Sequence, residues 1–132
     1  MATVTKQQIY KDFDLKFLAH PVTGKLQVKN NSEAVKQAVK LLILTNLYER
    51  PYRPTFGSSV RGYLFENFTA STRDNIAYVI KTTLANFEPR IQLLDIIFGG
   101  NPDRNELAVS IIFRPINTTE TVTLNLNLER IR

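Results

Sequence analysis

Val122-Thr123-Leu124-Asn125-Leu126-Asn127-Leu128-Glu129 alternates an apolar residue with a polar one over its whole length. Successive side chains of a strand point to opposite faces, so this stretch predicts a strand with one buried and one wet face. Two apolar runs precede it. Leu107 to Phe113 reads as a strand ended by Pro115, and Ile91 to Phe98 as another, closed by Gly99-Gly100-Asn101-Pro102. Short, turn-rich links between the three favour an antiparallel meander.

Upstream the period becomes helical. Ile76, Val79, Ile80, Leu84 and Phe87 form one apolar stripe. Ser71-Thr72-Arg73-Asp74 before it has the spacing of a capping box. Pro89 stops this helix and pushes Glu88 toward extended backbone. Val35, Ala38, Val39, Leu42 and Ile43 make an earlier stripe, with Asn31 or Ser32 as its cap and an end near Asn46. Pro51 and Pro54 then forbid a regular helix. Tyr48 to Gly57 is expected to be an ordered extended loop that buries Tyr52 and Phe56. Ser58 can cap a short helix carrying Val60, Tyr63, Leu64 and Phe65.

Nearer the N-terminus, Phe13, Leu15 and Phe17 alternate with Asp14 and Lys16, which predicts a short strand with one buried face. His20-Pro21-Val22-Thr23-Gly24 reads as a turn. Residues 1–10 are expected to form a mobile arm, and 11–132 a single domain. Helices first and strands last predict an α+β fold, with two or three helices packed on one face of a small, mainly antiparallel C-terminal sheet.

The totals exclude several chemistries. There is no cysteine and one histidine among 132 residues. Disulfide frameworks, cysteine nucleophiles and paired-histidine metal sites are therefore absent from the sequence. No apolar run approaches the roughly 18–20 residues that span a membrane. No phosphate-cradling glycine loop is present, and no cofactor is expected. His20 reads as a turn residue. Glu66, Asp74 and Glu88 are the candidates for the paired carboxylates of a glycosidase. Of these, Glu66 follows Leu64-Phe65 and could sit in apolar surroundings, Asp74 is explained by the capping box, and Glu88 is within reach of Arg90.

The charge is uneven. Residues 1–61 hold ten lysines and arginines against four acids, a net +6, while the remainder is near neutral. Such a half can face nucleic acid or an acidic protein surface. Its cations are spread out, which weakens the nucleic-acid reading.

Two features point to protein partners. Glu88-Pro89-Arg90 sets opposite charges at a helix–strand junction, where they form either an internal salt bridge or a charged contact for a partner. The terminal strand carries no proline or lysine to guard it as an edge. It is either a surface for strand addition through Val122, Leu124, Leu126 and Leu128, or a strand enclosed within the sheet.

Arg50-Pro51-Tyr52-Arg53-Pro54-Thr55-Phe56-Gly57, followed by Leu64-Phe65-Glu66-Asn67 and by Phe87-Glu88-Pro89-Arg90-Ile91, resembles the baseplate wedge and sheath-initiator family of contractile-tail phages. Phe13-Asp14-Leu15 and the turn at 20–24 are similar to that family's N-terminal region. The resemblance covers most of the chain after residue 10. It implies a structural protein of the virion tail baseplate, made in the host cytoplasm and not an enzyme. By it, Glu88, Pro89 and Arg90 would contact the wedge core bundle, and the last strand would pair with the first sheath ring. Arg50, Pro51, Pro54, Phe56 and Gly57 would form a structural loop. Wedge and sheath proteins are the implied partners, with the tail tube as a further candidate and no small-molecule substrate. A lysozyme-like hydrolase and a basic nucleic-acid-binding module are the alternatives.

Overall fold

The structure is a computed structural model and describes residues 10–100, 106–116 and 118–129. The arm expected over residues 1–10 lies, apart from Tyr10, outside the described residues. Among the described residues no helix is long and apolar enough to cross a membrane.

The architecture is the α+β arrangement anticipated. A two-stranded antiparallel ribbon, β1 (Lys11–Phe13) and β2 (Val28–Asn30), leads into helix α1 (Asn31–Leu44). A 3-10 helix (Val60–Phe65) and helix α2 (Ala70–Phe87) follow. The C-terminal sheet is an antiparallel meander of β3 (Ile91–Gly99), β4 (Glu106–Pro115) and β5 (Val122–Glu129), in that spatial order.

One core joins helices and sheet. Val35, Val39, Leu42 and Ile43 of α1 and Ile76, Ile80 and Leu84 of α2 are buried with Leu107, Val109, Ile111 and Phe113 of β4 and Leu124, Leu126 and Leu128 of β5. Alternate residues of β5, Thr123, Asn125, Asn127 and Glu129, face water. A residue such as Leu126 removes roughly 2 kcal/mol worth of apolar surface from water.

Several local expectations are corrected. The apolar residues of the N-terminal segment are not buried: Phe13, Leu15 and Phe17 are 59%, 45% and 65% exposed. The strand ends at Phe13, because Asp14 accepts from the Phe17 and Lys16 amides and turns the chain. Helix α2 begins at Ala70, with Thr69 as its cap; Thr69 Oγ1 accepts from the Thr72 amide. Asp74 lies beyond that cap, exposed. The N-cap of α1 is Asn30, without a side-chain capping bond, in place of Asn31 or Ser32. Ser59 rather than Ser58 precedes the 3-10 helix.

Candidate partner-binding surfaces

The proline-rich segment, 45–58, is pinned at both ends. Ser58 Oγ donates to the Ile43 carbonyl at 2.6 Å and its amide to the Thr45 carbonyl at 2.8 Å. Ser58 is thus spent on closing the loop against the end of α1, which is why it caps nothing. Inside the loop the Tyr48 amide donates to Pro54 O. Tyr48 and Tyr52 both adopt φ of 64°, a region that side chains other than glycine seldom occupy. These are turn corners, so both rings point outward, and Tyr52 is fully exposed rather than buried.

Phe56 is the loop residue that turns inward. Its ring meets Phe87 edge-on, with centroids 5.3 Å apart. The Arg50 and Arg53 guanidinium groups lie 4.7 and 5.7 Å from its centroid. Phe87 is the last residue of α2, so this contact carries the loop onto the Glu88-Pro89-Arg90 turn. The two sequence motifs therefore form one surface.

Within the turn, Arg90 holds Glu88 in a fork. Nε donates to Oε1 at 2.6 Å and Nη2 to Oε2 at 2.9 Å. Glu88 is buried and Arg90 half-buried. The arginine pKa is raised, chiefly by its hydrogen bond to Glu88, against the opposing effect of burial. The outer side of the guanidinium lies 5.1 Å from the Tyr10 ring. The internal salt bridge is thus present, with the arginine side chain still about one-third exposed, at 36%. A cleft of about 460 Å³ opens beside Glu88 between α1 and the loop, lined in part by Asp12, Glu49, Arg50 and Phe56. Asp12 and Glu49 were not singled out from sequence. Each accepts from a nearby amide, Phe13 N and Asn46 N, so only their fold neighbourhood reveals them.

The second surface is the free edge of β5. Among the described residues it pairs with β4 alone and is an edge strand, so the enclosed alternative does not hold for them. Leu124, Leu126 and Leu128 point into the core, and their main chain, not their side chains, is what an incoming strand could meet. The opposite edge, β3, is interrupted by a bulge between Leu93 and Asp95, a feature that discourages pairing. A groove of about 520 Å³ runs along β5 beside α1 and the 3-10 helix.

The two surfaces lie on opposite flanks of α1. Ala38, Leu41, Leu42 and Thr45 line the cleft by the Glu-Pro-Arg turn, whereas Lys36, Lys40 and Leu44 look toward β5. At about 100° per residue these sets are roughly half a turn apart.

The carboxylates do not form an acid–base pair. Glu66 and Asp74 are exposed, so Glu66 lacks the apolar surroundings expected of it, and Glu88 is held by Arg90. His20 is a turn residue, its Nδ1 accepting from the Val22 and Thr23 amides.

Residues 29–120 match the profile of the Baseplate wedge protein gp25 family. The chain belongs to that family. It is 32% identical to Baseplate wedge protein gp25 of Enterobacteria phage T4 over 89 residues, 67% of either chain. As a gp25-family member it is a structural component of a phage tail baseplate. The fold recurs in solved structures. A chain of the anti-feeding prophage baseplate superposes with a TM-score of 0.63 at 22% identity, covering 89% of this chain and 83% of that one. A putative tail lysozyme from Geobacter sulfurreducens gives 0.67 at 23% identity, over 74% and 89%. A chain of the contracted pyocin R2 baseplate gives 0.55 at 16%, over 92% and 99%. At these identities the likeness speaks to fold, so the tail-lysozyme description transfers no activity.

Proposed function

We propose that this gp25-family protein is a non-enzymatic scaffold with two contacts. Its Glu88-Pro89-Arg90 turn anchors it on the core bundle of the baseplate wedge, and its β5 edge pairs with a strand of the first sheath ring, so that sheath assembly starts at the baseplate. The observation that carries this reading is the contrast between the two sheet edges. β5 is straight, apolar-backed and unguarded, while β3 is bulged at Leu93/Asp95. Main-chain pairing suits a repeated assembly contact, because it depends little on side-chain identity. The wedge surface, on the other flank of α1, stays available while the edge is occupied. Its fork between Arg90 and Glu88 fixes the direction of the guanidinium before any partner arrives, which limits the ordering cost of binding.

Hydrogen exchange on the complexes tests this. Wedge proteins of the same phage should slow exchange in residues 85–92 and leave β5 unchanged. The sheath protein should slow exchange in Val122–Glu129 and leave the turn unchanged. Stable complexes with neither segment protected would remove the proposal.

A further inference from the structure

The groove along β5 is divided by charge, and the division identifies what fits it. Both core-facing Leu126 and Leu128 and outward-facing Asn125 and Asn127 line it, as a groove along an edge rather than over a face requires. Its far wall is α1, where Lys36, Lys40 and Leu44 recur every fourth residue and so share one side of the helix. Beside Leu124 and Asn125 the groove adjoins a basic pocket, where Lys36 and Lys40 of α1 meet Lys29 of β2 and Lys16, against Asp14 and Glu33. Toward Leu128 the groove becomes apolar, with Leu44, Leu64 and a largely exposed Phe65, while Arg61 and Glu129 offset one another. Asp14 already accepts from the Lys16 amide, and Glu33 sits in the first turn of α1, where the helix dipole favours an acid. Among the described residues, neither Lys36 nor Lys40 is paired with an acid of the chain. Half of the cations of the basic N-terminal segment thus border this groove or the pocket that adjoins it at Lys40 and Asn125, Arg61 included.

We infer that the strand which adds to β5 is an amphipathic extended segment of a partner protein, with acidic side chains over Lys36 and Lys40 and an apolar side chain against Leu44, Leu64 and Phe65. This rests on the strand-addition reading above and gives it a chemical specificity that main-chain pairing lacks. Backbone bonds hold any extended segment; the charge division selects one and sets its register, since a shift by one residue would turn the acids away from the lysines.

The test measures binding of the sheath protein of the same phage to the full chain. Lys36→Glu/Lys40→Glu should weaken binding at least about tenfold at low salt, Lys36→Gln/Lys40→Gln less but in the same direction, and Phe65→Ser also measurably. Lys81→Glu, exposed on α2 away from the groove, should bind as wild type. Added salt should weaken wild type more than the glutamate variant. Circular dichroism verifies that each variant is folded, and exchange at β5 is read in parallel. If β5 is protected but the lysine variants bind as wild type, the acidic-segment inference is overturned and strand addition stands. If wild-type binding leaves β5 unprotected, strand addition itself fails and this inference with it.

Discussion

A Cβ at position 57 would stand 2.6 Å from the Thr45 carbonyl oxygen, so Gly57 brings the proline-rich loop onto the end of α1 by main-chain contact alone. Its φ of 127° is also closed to other residues. Gly57→Ala should therefore cost about 3 kcal/mol, combining backbone strain with displacement of the Thr45 carbonyl. A fall in the urea midpoint with an unchanged m-value would show it. Wild-type stability would mean the loop is not fixed here.

Glu88 is buried and its charge is met by Arg90. Arg90→Ala leaves that carboxylate unpaired and should cost about 3 kcal/mol, the low end for a broken buried pair because Arg90 itself is partly solvated. Arg90→Lys should recover little, since an ammonium cannot supply the two-pronged fork. The arginine pKa is raised, so its stabilisation is fully present below the ordinary arginine value and is lost only as pH climbs past the raised one. Mild alkali should leave this pair intact. Equilibrium unfolding of the three proteins tests all of this, and it must accompany any wedge-binding assay that uses these variants.

Gln37 ties the N-terminal ribbon to α1. Its buried amide donates to the Phe13 carbonyl at 2.7 Å, and its Oε1 accepts from the Leu15 amide at 3.4 Å. Gln37→Leu should loosen residues 11–18 locally, by about 1–2 kcal/mol. Faster amide exchange there, with nearly unchanged global unfolding, is the expected outcome.

Two threonine and serine positions separate the observed helix start from the predicted one. Thr69→Ala should cost about 1 kcal/mol as the loss of a cap, whereas Ser71→Ala, at an exposed site, should be nearly neutral. The reverse order in thermal melts would restore Ser71 as the cap.

A chain ending at Thr119 should not fold cooperatively. It loses three buried leucines, Leu124, Leu126 and Leu128, each worth about 2–5 kcal/mol when truncated in a core. A native-like melt from that fragment would mean that β5 is an appendage rather than part of the core.

The sequence alone determined the elements whose reasons are local. The period of two in residues 122–129 specified β5 and its buried face, because strand geometry leaves no other way to segregate those leucines. The stripe ending at Phe87, with Pro89 behind it, specified α2 and its stop. The turn at 20–24 was likewise legible, as Gly24 supplies its positive φ of 66°. Spacing could not say that Phe13, Leu15 and Phe17 would remain exposed, because burial depends on what the rest of the chain brings to cover them. Nor did the spacing show that Thr69, and not Ser71, is the cap, which is decided by the direction in which the chain enters the helix. The salt bridge in the Glu-Pro-Arg turn was one of two outcomes open from sequence; the fold selected it by burying Glu88, where an unmatched charge would be costly. The tertiary structure alone put β5 at the edge of the sheet among the described residues, with the lysines of α1 beside it. Those residues are some ninety positions apart in the chain, and only helix-on-sheet packing brings them to one groove.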